Sequence, residues 1–211
     1  MFARTERTLL RPSFAEDAPV IHQLMQDEAL VRNLASAPWP YTLNDAQQFT
    51  SLDHDARYPK FIILNRTKST PEIIGSAAIL PTDKDNQVEL GYWIARPHWN
   101  QGFATEAANA VIQIAQILGY DNIVASHFFD NPASGRVLRK LGFAPLGKNQ
   151  LRYSKGRNGQ ELSHIYHKIL AGNDSADKGA QKSSHDNGVD SDIDAVMRGS
   201  VSTPPMISFA A

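Results

Sequence analysis

The chain has 211 residues, 42% of them hydrophobic and 20% charged, which is enough apolar side chain for one sizeable core but too little length for two full domains. A formal net charge of −1 provides no basic field to draw nucleic acid or an anionic lipid surface to the whole molecule, so any anion it binds is caught locally. The absence of cysteine excludes disulfides, thiolate-held zinc and an acyl-cysteine intermediate.

The first residues, MFARTERTLLRPSF, carry charges at Arg4, Glu6, Arg7 and Arg11 and no apolar leader, and no uncharged apolar run reaches about 18 residues. A cytoplasmic protein without membrane contact is expected. RTLLRP (Arg7 to Pro12) reads as a short strand. AEDAPVIHQLMQDEALVRNL reads as one helix, with Asp17 as cap, Pro19 in the first turn and Val20, Leu24 and Met25 on one face. The prolines of ASAPWPY end that pattern, and TLNDAQQFTSLDHDA restarts it from a capping box of Thr42 and Asp45. KFIILN (Lys60 to Asn65) and EIIGSAAIL (Glu72 to Leu80) are β-branched runs joined by RTKSTP, hence an antiparallel hairpin. QVELGYWI (Gln87 to Ile94) is a further strand.

ATEAANAVIQIAQILGY gives the strongest helical signal, a stripe of Ala107, Ala110, Val111, Ile114, Ala115 and Leu118 ended by Gly119. NIVASHFF (Asn122 to Phe129) is the next strand. NPASGRVLRKLGF is a short helix with Asn131 at the N-cap, Pro132 at N1 and Gly142 past its end. LRYSKGRNGQELSHIYHKIL closes the domain, 1–170, as a hairpin turning at KGRNGQ. Residues 171–211 are rich in Gly, Ser, Asp and Asn and bury too little to offset their ordering entropy, so a flexible polar tail is expected there.

Strand, helix and strand across Gln87 to Phe129 form a βαβ unit, which makes its two strands parallel. Ligands of such sheets sit at the carboxyl ends of the strands. The stretch WNQGFAT lies there, where the unpaired amides and positive dipole end of the long helix collect an anion. Gly102 lets the backbone approach it, and Ala104 and Thr105 leave the first turn uncrowded. A pyrophosphate is the expected guest, although neither familiar Gly-rich phosphate loop is present. The alternative is a tight strand-to-helix turn in which Gly102 serves geometry alone.

TERTLLRPSFAEDA, YTLNDAQQF, VELGYWIARPHWNQGFATEA and NPASGRVLRKLGF, in this order, resemble the GNAT superfamily of acetyl-CoA-dependent N-acetyltransferases, most closely its RimJ/RimL-like branch. The likeness spans roughly Arg4 to Leu170. It implies an α/β (α+β) GNAT fold: a central mixed, mostly antiparallel sheet with a splayed parallel strand pair, flanked by helices. The family's pattern Arg/Gln-x-x-Gly-x-Gly/Ala, which holds the coenzyme A pyrophosphate through backbone amides, falls on Trp99, Asn100, Gln101, Gly102, Phe103 and Ala104. Gly102 and Ala104 fit it, while Trp99 and Asn100 depart from it.

Acetyl transfer from a thioester to an amine needs a neutral amine, a donor for the developing oxyanion and a proton for the departing thiolate. Alternation puts Gln87, Glu89, Gly91 and Trp93 on one face, and Gly91 leaves a gap beside Glu89. Glu89 is therefore the candidate general base, a role the resemblance favours over a cross-strand salt bridge. By resemblance the backbone of Trp93, Ile94 and Ala95 serves the pantetheine arm and thioester carbonyl. Asn131 contacts pantetheine, and the Ser134 hydroxyl protonates the thiolate. From the sequence alone Asn131 and Ser134 read as cap and first-turn residues, and Tyr92 and Trp93 as core aromatics. Many relatives place a tyrosine where this chain has Leu138, which leaves Ser134 or water to supply the proton.

Trp39 and Tyr41 are expected on the acceptor side, since the first helices of the family flank that cleft. The acceptor is a primary amine, either a small molecule or a protein N-terminus such as that of a ribosomal protein. Direct transfer in a ternary complex is expected, from a monomer or homodimer, without a metal and without nucleic acid. His164 and His167 are three apart on a strand and cannot share an ion. The alternative from another class is a non-catalytic acyl-CoA-binding or regulatory module of the same fold.

Overall fold

Period-two alternation in the apolar runs builds one sheet with helices on both faces. The computed structural model describes residues 1–51 and 55–170. Among these, the strands are β1 (Ala3–Arg4), β2 (Thr8–Arg11), β3 (Lys60–Asn65), β4 (Glu72–Pro81), β5 (Gln87–Ile94), β6 (Asn122–Phe128), β7 (Ala144–Ser154) and β8 (Gly159–Ile169), in spatial order β1-β2-β3-β4-β5-β6-β8-β7. The helices are α1 (Ala18–Leu24), α2 (Glu28–Val31), α3 (Leu43–Thr50), α4 (Phe103–Ile117) and α5 (Pro132–Lys140). β5 and β6 run parallel and the other neighbouring strands antiparallel, the mixed, mostly antiparallel sheet that the resemblance implies.

β5 separates the two core layers. Val88, Leu90, Tyr92 and Ile94 pack with the α4 stripe of Ala107, Ala110, Val111, Ile114 and Ala115. Trp93 points the other way, among Ile21, Met25, Leu34, Tyr41 and Ala46 from the α1 to α3 layer. Each large aliphatic side chain fully buried here contributes roughly 1.5–3 kcal/mol.

β5 and β6 pair only at Gln87 with Asn122, Val88 with Ile123 and Glu89 with Val124. Beyond that point β5 stays with β4 as far as Gly75 opposite Ile94, and β6 stays with β8 as far as Phe128 opposite Ser163. The sheet therefore opens into a V between Leu90–Ile94 and the end of β6.

Several local expectations give way to tertiary contacts. The single helix expected over residues 15–34 is a short 3-10 turn followed by α1 and α2, broken because Asp27 takes an extended conformation and caps α2 by accepting from the Ala29 N–H at 3.0 Å. Asp17 caps α1 without a side-chain bond to it; its carboxylate instead accepts twice from Arg11, at 2.7 Å each, and once from the Phe14 N–H. Val20 is 41% exposed, because the buried face of α1 is carried by Ala18 and Ile21. The Thr42 and Asp45 capping box forms, and the helix it starts ends at Thr50. The final hairpin begins earlier than expected, at Ala144. Residues 171–211, expected to be a tail, lie outside the described residues.

α5 rests on β6 over His127, which is buried with Nδ1 2.8 Å from the Phe128 carbonyl and Nε2 3.5 Å from the Tyr166 hydroxyl. A Cβ on Gly135 would lie 2.6 Å from His127 Nε2, so only glycine lets the helix come this close. Burial holds the imidazole below its ordinary value; the Phe128 carbonyl opposes this and the charges of His164 and Arg139 add to it. Above about pH 6.5 His127 is neutral in both folded and unfolded chains; below it the unfolded chain takes up a proton that the folded one resists, and stability falls. The urea midpoint of the parent should therefore drop between roughly pH 6.5 and 5, and His127→Gln should flatten that slope. An unchanged slope would assign the acid sensitivity to other groups.

Candidate active site

The V holds a cavity of about 620 Å³. Tyr92, Trp93 and Ile94 line it from β5, Asn100 and Gly102 to Thr105 from the loop and first turn of α4, and Asn131, Ser134, Arg136 and Lys140 from α5 and the residue before it. Thus Trp93, Ile94, Asn100, Gly102, Phe103, Ala104, Thr105, Asn131 and Ser134 of the sequence-derived site share one wall system. Of the residues expected against the cofactor, Ala95 and Gln101 do not. The Ala95 N–H donates to the Ile74 carbonyl at 2.7 Å, and Gln101 turns its side chain to the Pro97 carbonyl at 2.9 Å.

The loop before α4 is shaped by two left-handed residues, Asn100 at φ 59° and Gly102 at φ 83°. The first i to i−4 bond of α4 runs from Glu106 N–H to the Gly102 carbonyl at 3.0 Å, so the amides before Glu106 have no intrahelical acceptor. Arg7 fixes their direction. Its Nη1 donates to the Gln101 carbonyl at 2.9 Å, and in a planar trans peptide the Gly102 N–H then points the opposite way. The guanidinium lies over the Phe103 ring, 4.6 Å from its centroid, and Nε donates to Glu106 at 2.7 Å. Glu106 also accepts from the Thr5 hydroxyl at 2.5 Å and the Arg7 N–H at 2.7 Å. Burial alone would raise the Glu106 carboxyl, and these bonds from Thr5 and Arg7 outweigh it, leaving it below its ordinary value.

The start of α5 is held just as firmly. Asn131 caps it by accepting from the Ser134 N–H at 3.3 Å. Asp130, one residue earlier, accepts from Arg32 at 2.9 Å and from both terminal nitrogens of Arg157, at 2.9 and 2.7 Å, while Arg157 Nε donates to the Arg32 carbonyl. The β6 to α5 loop is thereby tied to α2 and to the β7–β8 turn. Ser134 is buried, and its Oγ is 3.0 Å from the Tyr92 hydroxyl. Burial pushes the Tyr92 phenol well above its ordinary value, and the bond to Ser134 acts weakly the other way.

At the fork of the V, Glu89 accepts from Arg152 Nη1 at 2.5 Å and Nη2 at 3.1 Å, and from the Ser126 hydroxyl at 3.2 Å; Arg152 also contacts Ser126. Glu89 is not among the residues lining the large cavity. The ion pair that the sequence offers as an alternative for this carboxylate is present, and its partner comes from β7.

A second cavity, of about 340 Å³, lies on the α1 to α3 side and is lined by Met25, Tyr41, Asp45, Phe49, Trp93 and Lys155 among others. Trp93 and Leu34 line both cavities and form the partition between them. Tyr41 lines this second cavity, and burial, helped by the nearby Asp45 charge, raises its phenol. Trp39 lines neither cavity and is 37% exposed. Arg7, Tyr92, Arg136, Lys140 and Arg152 were not singled out by the sequence. Arg136 and Lys140, four residues apart on the short helix expected after Asn131, carried the only available signal.

The family model of the acetyltransferase (GNAT) domain matches residues 7–144. The uncharacterized N-acetyltransferase YoaA of Bacillus subtilis (strain 168) is 31% identical over 160 residues, covering 72% of this chain and 88% of that protein. The uncharacterized N-acetyltransferase p20 of Bacillus licheniformis is 30% identical over 148 residues, covering 68% and 82%. Among solved structures, a GNAT-family acetyltransferase from Bacillus anthracis shares the fold at a TM-score of 0.68 and 21% identity, over 81% of this chain and 99% of that one. RimL, a ribosomal L7/L12 alpha-N-protein acetyltransferase in complex with coenzyme A, does so at 0.67 and 18%, over 81% and 98%.

Loss of the Arg7 guanidinium should loosen the loop without unfolding the sheet. In Arg7→Ala, amide hydrogen exchange over residues 100–105 is expected to accelerate about tenfold or more while that of β3 to β5 stays unchanged. Unaltered exchange in the loop would show that Gly102 and Asn100 hold its shape unaided.

Proposed function

Because the chain belongs to the GNAT acetyltransferase family, we propose that it is an N-acetyltransferase that moves the acetyl group of acetyl-CoA to a primary amine by direct transfer in a ternary complex. The observation that carries this reading is the arrangement of outward-facing amides around Gly102 at the mouth of a 620 Å³ cavity inside the V. Amides at a helix N-terminus suit a diphosphate, and Arg136 and Lys140 on the facing helix supply cationic charge for the remaining phosphate. Beyond Glu89 the inner edge of β5 has no strand partner on the β6 side, and although Trp99 Nε1 donates to the Ile94 carbonyl at 2.6 Å, the edge before it leaves main-chain donors and acceptors for an amide-bearing arm such as pantetheine.

The arm would end near Ser134, whose hydroxyl would protonate the departing thiolate. The acceptor would approach from the Tyr41 side, across the Trp93 and Leu34 partition. A cavity of about 340 Å³ suits a single terminal residue or a small amine. The fold shared with RimL, named for its action on ribosomal L7/L12, supports a protein N-terminus as one acceptor class. A cytoplasmic enzyme acting as a monomer or homodimer completes the proposal; among the described residues no helix is long and apolar enough to cross a membrane.

Glu89 is proposed to draw the proton from the acceptor amine. An α-amino group titrates near 8 and a lysine near about 10.4, so at neutral pH one proton must leave before attack. Arg152 occupies both carboxylate oxygens of Glu89, so proton transfer from the amine passes through water or follows displacement of Arg152.

A thiol-release assay with acetyl-CoA against N-terminal peptides, amino acids, polyamines and aminoglycosides tests the activity. Coenzyme A binding with no acetylation of any amine would favour a non-catalytic module. Gly102→Val places a branched side chain at φ +83°, with its Cβ about 3.3 Å from Arg7, and should abolish coenzyme A binding in calorimetry while the fold survives. Parent-like affinity would refute the phosphate-loop claim. Glu89→Gln should slow turnover most below the pKa of the amine and, by leaving Arg152 without its carboxylate, lower the urea midpoint as well. Normal turnover with a lowered midpoint would assign Glu89 to the fork ion pair alone.

A further inference from the structure

Tyr92 reads from the sequence as a core aromatic, yet its hydroxyl lies 3.0 Å from Ser134 Oγ, and both residues line the large cavity. Resting on the acetyltransferase reading above, we propose that Tyr92 is a positioning residue for the thiolate-protonation step, donating a hydrogen bond to Ser134 Oγ so that the Ser134 hydrogen points into the cavity.

The direction of the bond follows from the chemistry of the pair. A hydroxyl donates one hydrogen and accepts at two lone pairs, so two hydroxyls in contact leave one hydrogen over. Tyr92 and Ser134 are 4% and 5% exposed between β5 and α5, and both line the cavity. The Ser134 hydroxyl is the side-chain partner of the Tyr92 hydroxyl, so one of the two hydrogens fills the space between them. A phenol is the more acidic of the two hydroxyls and therefore the better donor, which decides the orientation. The Ser134 hydrogen is the one left over.

Proton balance keeps Tyr92 in this supporting role. When the C–N bond has formed and the C–S bond breaks, the electron pair leaves on sulfur, which takes the Ser134 hydrogen. The oxygen of Ser134 is reprotonated by the N–H⁺ of the newly formed adduct, directly or through water, and ends the cycle unchanged. Tyr92 keeps its own proton throughout, because burial makes phenolate formation harder than in water. What it supplies is a hydrogen bond that strengthens while Ser134 Oγ carries developing negative charge. Leu138, at the position where the resemblance implies a tyrosine in many family members, is fully buried in this chain, and the phenol beside Ser134 comes from β5.

The test is a double-mutant cycle on Tyr92→Phe and Ser134→Ala, read as kcat, KM for acetyl-CoA, coenzyme A affinity and urea midpoint. Coenzyme A binding and thiol release by the parent chain are measured first, and their absence would sink the acetyltransferase reading and this proposal together. Given an active parent, Tyr92→Phe should lower kcat about tenfold at unchanged KM and coenzyme A affinity, and should have no further effect once Ser134 is alanine. Additive losses, or unchanged kcat in Tyr92→Phe, would overturn the proposal while leaving the acetyltransferase reading intact. A Tyr92→Phe chain that loses stability and coenzyme A affinity in parallel with turnover would make Tyr92 a packing residue and overturn it as well.

Discussion

A sheet that pairs its two central strands at only three positions and then lets them part leaves main-chain groups without partners at the centre of the molecule. Backbone amides and carbonyls buried in that state are unfavourable by roughly the cost of a lost hydrogen bond each. The rest of the site follows from this constraint. The opened edge of β5 must face either water or a ligand with alternating donors and acceptors, and the helix that crosses from β5 to β6 begins at the mouth of the same opening. One departure from regular pairing thus sets an extended polar groove and an anion-seeking helix terminus side by side.

The V stays open because each of its arms is committed elsewhere. β5 is bonded along its whole length to β4, and β6 along its whole length to β8. Glu89, Arg152 and Ser126 fill the fork with a hydrogen-bonded ionic cluster. Such a cluster adds little net stability after desolvation, but it specifies where pairing stops, since sliding either strand would leave a charge unpaired. Arg7 with Glu106 and Arg157 with Asp130 act in the same way at the two rims. Half-exposed pairs of this kind contribute little free energy. Their effect is to fix loops, one carrying Gly102 and the other Asn131.

The two cavities meet at Trp93 and Leu34, so they are divided by a side chain from the strand that lines the V. Alternation along β5 makes this division possible. Tyr92 and Trp93 are adjacent in sequence and point to opposite layers, the first toward Ser134 and α5, the second toward α1 to α3. A donor group and an acceptor amine can thus reach one strand from its two faces.

Local pattern was sufficient for much of this protein. The stripe from Ala107 to Ala115, the alternation in Gln87 to Ile94, the Thr42 cap and the glycine at the head of α4 are each read from residues within a few positions, because helix and strand periods impose them on any chain that buries one face. The single helix expected over residues 15–34 misled, since Asp27 and Asp17 spent their carboxylates on contacts that propensity does not contain. The sequence by itself determined most of the elements, the parallel crossover and therefore where the amide-bearing start of α4 lies. Tertiary structure alone decided that Arg7 orients that loop from 94 residues away, that Glu89 is paired with Arg152, and that Tyr92 rather than a residue of α5 meets Ser134. Those contacts join segments remote in sequence, and their geometry is set by how the sheet splays and the helices dock, which no local periodicity encodes.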